Sequence, residues 1–185
     1  MKKIMFSERF GLEQTVLAGT KTMTRRIIKG NFEDVKAYHA NGGWHFIADT
    51  DEGDSVELKP QYEIGERVVI AQSYKNLIEQ GYLCRESDGW VSEKYCTSPG
   101  FRNKMFVKAE YMPHRIRITG IKAERLQDIS DEDAMREGIR QSVVEYGDKK
   151  IVQWTYFGEK ITTWYDSPRE AFAALIDRIG GRGTW

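Results

Sequence analysis

The stretch Leu17-Ala18-Gly19-Thr20-Lys21-Thr22-Met23-Thr24-Arg25-Arg26 decides how this chain is read. A helix closes at Gly19, where a left-handed residue is wanted, and a strand is expected to begin near Met23. Thr24 and Arg26, two apart on a strand, would share a face. Lys21 stands three before Thr24 and joins that face only if the chain turns after Gly19. An amine, a hydroxyl and the guanidinium of Arg26, with Arg25 beside them, would then converge. Such donors suit a phosphate, a carboxylate or a polarised carbonyl. The plain alternative is a solvated basic face, since most charge runs are only that.

Working outward, the preceding helix is expected from about residue 8 to 18. Ser7 is its cap, and Phe10, Glu13, Val16 and Leu17 keep mostly helical spacing. After the basic run, residues 35–39 and 44–48 flank Asn41-Gly42-Gly43, a hairpin signal, and residues 55–58 can pair again. Gly65 introduces a strand over 67–73, with Val68-Val69-Ile70-Ala71 suited to burial. Residues 105–111 and 115–121 read as two more strands. Ser130 opens a short helix with Asp133 completing its cap, and Gly138 ends it. Residues 151–157 and 160–165 flank Gly158-Glu159 as a second hairpin. Ser167-Pro168-x-Glu170 starts a last helix. Its Phe172, Leu175, Ile176 and Ile179 face a core, and Gly180-Gly181 stops it. The spans 75–100 and 140–166 read as insertions in a single domain covering 1–185.

Composition narrows the function classes. The chain of 185 residues is 40% hydrophobic and 12% aromatic, too apolar for a disordered protein. Its apolar runs are far shorter than the roughly 20 residues that span a bilayer. No apolar segment of signal-peptide length follows Met1, so a cytoplasmic protein without membrane association is expected. Cys84 and Cys96 are expected as free thiols. His39, His45 and His114 form no metal-ligand spacing with them, and neither a metal nor a cofactor is assigned. Net charge is zero, which argues against tight non-specific RNA binding. The charge is uneven, however. Residues 14–32 hold four cations (Lys21, Arg25, Arg26, Lys29) and no acid, and residues 102–117 hold five against Glu110 alone.

Gly19-x-Lys21-x-x-Thr24-x-Arg26 resembles the signature of the ASCH family, a branch of the PUA-like β-barrels related to RNA-binding modules. The usual pattern has Glu where this chain has Thr24, and the Thr is similar to that of the N4-acetylcytidine amidohydrolases. Further likeness lies in Tyr62-x-x-Gly65-Glu66, Asn103-Lys104-Met105-Phe106-Val107, Met112-Pro113-His114 and residues 124–129. These segments resemble the larger, phage-associated members. Similar chains continue past Gly-Arg-Gly-x-Trp with a further strand, whereas this sequence stops at Trp185. Trp185 is expected to pack against the end of the barrel.

The resemblance implies an α+β fold: a PUA-like mixed or antiparallel β-barrel with a few flanking helices. It implies binding of RNA or a nucleoside-like ligand in a basic cleft. An amidohydrolase acting on an acylated nucleoside such as N4-acetylcytidine is the alternative, and a phage-derived protein-interaction module a third. For the hydrolase, Lys21, Thr24 and Glu137 are the expected catalytic residues, Glu137 being matched by its place after Ala134. Arg25, Arg26, Gln72, Ser73 and Tyr74 are the expected ligand contacts.

Overall fold

The computed structural model describes residues 1–28, 30, 32–40, 43–83, 93–147, 149–156 and 163–185. The fold is mixed α+β, with its strands in three small sheets. No sheet closes into a barrel among the described residues. The chain forms two compact units: Met1–Phe6 with Gln61–Ile121, and Ser7–Pro60 with Lys122–Trp185.

The first unit is built on strand β1 (Lys3–Ile4), which runs parallel to β5 (Arg67–Ile70); β5 in turn pairs antiparallel with β6 (Arg115–Arg117). The apolar run expected to be buried is buried, with Val68, Val69 and Ala71 fully inside. Val69 and Ala71 pack with Tyr74, Leu77, Val107 and Met112. Helix α2 (Tyr74–Glu79) follows, capped by the Ser73 hydroxyl, which accepts from the Asn76 amide. A short helix α3 (Glu93–Cys96) lies beyond it. The strand expected over 105–111 is absent. Two 3₁₀ turns, Lys104–Phe106 and Ala109–Tyr111, take its place. The Asn103 side chain accepts from the Met105 amide, the local bonding by which Asn draws a chain out of an extended run.

The second unit opens with α1 (Leu12–Leu17), shorter than expected and begun by Gly11 in a left-handed conformation, not by Ser7. Strands β2 (Phe32–Ala40), β3 (Gly43–Thr50) and β4 (Ser55–Leu58) form the expected antiparallel sheet. The Asn41-Gly42 turn itself falls outside the described residues. Helix α4 (Asp131–Arg136) starts as read, with Ser130 Oγ accepting from the Asp133 amide. The second hairpin differs. β7 (Arg140–Tyr146) pairs with β8 (Lys149–Thr155) across a turn at Gly147, whose φ is 57°. Of the expected 151–157/160–165 pairing, the described residues keep one bridge, Trp154 to Tyr165; Gly158-Glu159 lies outside them. The adjacent β-branched residues Val143 and Val144, with Tyr146, were the missed strand signal.

Helix α5 (Pro168–Gly180) has the expected cap, Ser167 Oγ accepting from the Glu170 amide, and packs on α4. Phe172, Leu175 and Ile176 are buried, while Ile179 is 46% exposed. Trp185 packs on α5, and the described residues form no barrel end to receive it. Its ring meets Phe172 edge-on at 6.0 Å, and its amide donates to Asp177 Oδ1 at 2.9 Å. No described helix is long and apolar enough to cross a membrane.

Helix α4 has six residues, too few to persist alone, so its cap contributes directly. Ser130→Ala is expected to lower stability by about 1 kcal/mol, read as a lower urea midpoint. An unchanged midpoint would show that packing on α5 fixes α4 without the cap.

Candidate functional site

The basic run does not form a strand. Residues 20–28 are irregular, so the parity that placed Thr24 and Arg26 on one face does not apply, and both are exposed. The reason lies in the bonds of this segment. Gly19 turns with φ 73°, and the amides of Thr20 and Lys21 both donate to Thr15 O at 3.0 Å. The amides of Thr22 and Met23 then donate to Arg136 O, the last carbonyl of α4, at 2.9 and 3.1 Å. Donors that a strand would spend on a neighbour are spent on two helix ends instead.

This path carries Lys21 inward. Its side chain is 2% exposed, and Nζ donates to Glu137 Oε2 at 2.5 Å and to Glu137 O at 2.7 Å. The ammonium therefore satisfies an orphan carbonyl just past α4, where a cation is favoured by the helix dipole. Gly138 has φ 105°, and a β-carbon there would sit 3.3 Å from Thr15 Oγ1 and 3.6 Å from Lys21 Cδ. A glycine is needed there for the backbone conformation and for the close approach of α1.

Arg25, not Arg26, completes the cluster. Its Nη1 donates to Glu137 Oε1 at 3.1 Å, and its Nη2 lies 3.4 Å from Asp133 Oδ2. Nε, at 3.1 Å, and Nη2 both donate to Glu124 Oε1. The guanidinium also lies 5.8 Å from the Phe172 ring centroid. Lys122 pairs with the other oxygen of Glu124. Three cations (Lys21, Arg25, Lys122) thus face three carboxylates (Glu124, Asp133, Glu137) within one connected network.

Burial lowers the Lys21 pKa, and the Glu137 carboxylate only partly counteracts it. Burial also works against the charge of Arg25, but its bonds to Glu124 and Glu137 outweigh that and raise its pKa. For Glu124, burial is outweighed by Lys122 and Arg25, and its pKa falls. The cluster therefore holds one amine with weakened hold on its proton beside one cation that stays charged.

The other expected contacts belong to the first unit, where each has a structural partner. Ser73 caps α2, and Gln72 is fully buried with Nε2 donating to Gln80 Oε1 at 3.0 Å. The Tyr74 ring is 8% exposed and packs against Tyr95 and Tyr111, with centroids 5.0 and 5.9 Å away. Missed by the sequence reading were Glu124 and Asp133. The sequence is acidic over 124–137, but nothing in it says which members meet Arg25. Among the described residues no group of His, Cys, Asp and Glu side chains could hold a metal ion. Comparison with family models, curated proteins and solved structures finds no match.

Lys21→Met removes one partner of a buried pair and is expected to cost about 3–5 kcal/mol at neutral pH. The pH dependence has a definite sign. The folded chain holds the Lys21 proton less tightly than the unfolded chain, whose value is near 10.5. Lys21 therefore contributes most above that value, and its contribution declines as pH falls through the folded value. Denaturant unfolding of wild type and Lys21→Met should show a stability gap that widens from neutrality toward 10.5. A gap that narrows with rising pH would mean that the Glu137 charge, not burial, sets the Lys21 pKa.

Proposed function

We propose that the chain is an ASCH-type, PUA-like domain whose Lys21–Glu137 pair marks a site for an uncharged, nucleoside-type ligand. One observation carries this reading. Lys21 and Glu137, 116 residues apart and both singled out by the ASCH-like pattern, meet in a buried hydrogen bond. The network's balanced charge supports a small neutral ligand over the backbone of an RNA. Phosphates are attracted by cations without local counter-charge, and Lys21 and Arg25 each already hold a carboxylate.

A second reading, hydrolysis of an acylated nucleoside such as N4-acetylcytidine, is favoured by the lowered pKa of Lys21. An ammonium has three N–H donors, and two of them serve Glu137. The neutral amine would keep both bonds and turn its lone pair outward. There it accepts the proton of Thr24 as the Thr24 oxygen bonds to the acyl carbon. The C–N bond then breaks, the amine leaves with that proton, and water releases the acyl group from Thr24. Both Glu137 oxygens are already taken, by Lys21 and Arg25. Its part is to orient the lysine.

The test is a turnover screen of acylated and other modified nucleosides with wild type, Lys21→Ala and Thr24→Val. Removing proton transfer is expected to reduce turnover by about 10²–10⁴-fold. Thr24→Val should do so without loss of stability, because Thr24 is exposed. Unchanged turnover in Thr24→Val would end its role as nucleophile. Binding of a nucleoside without turnover would leave the first reading alone standing.

A further inference from the structure

The β7–β8 hairpin of the second unit leaves one strand edge open. β7 pairs with β8 on one side only, and among the described residues 141–145 make no backbone hydrogen bond outside that pairing. An unpaired edge presents a row of N–H and C=O groups to any strand that meets it.

The other strand edges are guarded. β8 is closed on its outer side by Tyr165, whose amide donates to Trp154 O at 2.9 Å and whose carbonyl accepts from the Trp154 amide at 3.0 Å. β2 carries Glu33, Asp34 and Lys36, and some of its backbone groups are already spent. Arg125 donates to Glu33 O, and the Val35 amide donates to Asp34 Oδ1. β1, β6 and β4 are two, three and four residues long, and short strands make poor templates. β7 has seven residues, and its middle, Ser142-Val143-Val144, carries no charge.

The hairpin is also apolar where it meets water. Val143 lies opposite Val152 on one face, and Val144 lies opposite Ile151 on the other. Val143, Ile151 and Val152 are 50%, 44% and 37% exposed. Two strands alone are marginal in water, and further strands are what make such a ribbon persist.

We propose that β7 pairs antiparallel with β7 of a second copy, joining two hairpins into one four-stranded sheet. The occupant is a strand, because a strand matches a row of alternating donors and acceptors. What favours a copy over a foreign strand is the fit of β7 to itself. A two-fold interface sets one residue against its own copy, and opposed residues share a face. Centred on Val143, the middle of the strand, all seven residues pair. Val152, Val143 and their copies then form one continuous row of valines. Gln141 meets Glu145 of the partner subunit, and no like charges are opposed. Glu145 keeps its own Lys150 at 3.0 Å, so its charge enters the sheet already matched. Centring on Val144 would shorten the pairing and set each Glu145 against a valine. One strand edge covers less than the roughly 800 Å² per partner of a standard interface, so the dimer forms at micromolar concentrations. Residues 141–145 make none of the bonds of Lys21, Arg25 or Glu137 described above. The inference therefore stands whether or not the Lys21 reading does.

The test is sedimentation velocity of the intact chain from about 1 to about 300 μM, with a cross-linking variant to read the register. Wild type is expected to pass from monomer to dimer across that range. Val143→Lys sets two ammonium groups against each other at the two-fold and should raise the dissociation constant about tenfold or more. In a Cys84→Ser/Cys96→Ser background, Val143→Cys should give a disulfide-linked dimer under mild oxidation. Self-opposed residues stand about 4.5–5.5 Å apart between Cα atoms, within disulfide reach. Val56→Cys, at an exposed position of β4, should not cross-link. A chain that stays monomeric at the highest concentration overturns the proposal and leaves the edge to a foreign strand. So does a dimer that Val143→Lys leaves intact, or equal cross-linking of Val143→Cys and Val56→Cys. Should Val143→Lys fail to fold, the cross-link decides alone, because Val143→Cys changes little volume at a half-exposed position.

Discussion

A lysine ammonium, set against the carboxylate and the carbonyl of one glutamate, organises the second unit. Lys21 Nζ reaches Glu137 Oε2 and O, and the amides beside it close on Arg136 O. These bonds tie the end of α1 to the end of α4, helices of six residues each. Neither helix is long enough to hold itself, so the bonds between their ends carry weight that a longer helix would carry alone. Arg25 then grips the same glutamate from its other oxygen and links it to Glu124 and Asp133. Such a network is costly unless every member is paired, and each member is. The same burial that makes pairing obligatory lowers the Lys21 pKa. The need for pairing and the lysine's weakened hold on its proton arise here from one cause.

Charge is distributed by unit. In the second unit the cations around Lys21 are matched by carboxylates, which is the ground for proposing a neutral ligand there. In the first unit the arginines of β5 and β6 are exposed and unmatched among the described residues. A net charge of zero for the whole chain conceals both facts. It is a fair guide to long-range attraction, but it says nothing about which cations are already bound to an internal partner.

Features set by local chemistry were legible in the sequence. The Ser130 and Ser167 caps, the β2–β3 hairpin and the buried Val68-Val69-Ile70-Ala71 run all follow from spacing and side-chain type. Features set by distant partners were not. A strand was expected to begin near Met23, yet Thr20 and Lys21 bond to Thr15, Thr22 and Met23 bond to Arg136, and no strand forms. The 105–111 segment alternates like a strand, yet Asn103 and Lys3 draw its start into a turn. For the site, Lys21 and Glu137 were found through the family-like pattern and the structure brings them together. Arg25 was named among the ligand contacts, but its role in holding Glu137 could not be seen, because its partners lie about a hundred residues away. Gln72, Ser73 and Tyr74 were named for their chemistry and turn out to serve burial and capping.

The account rests on Lys21 being a buried amine held by Glu137, and side-chain nitrogen NMR observes that group directly. With ¹⁵N-labelled lysine, the Lys21 Nζ resonance, assigned by comparison with Lys21→Met, is followed through an alkaline titration. The account predicts slow proton exchange at this Nζ and a midpoint below that of the exposed lysines, with both features altered in Glu137→Gln. A Lys21 signal that exchanges and titrates with the surface lysines, and ignores Glu137→Gln, would contradict it.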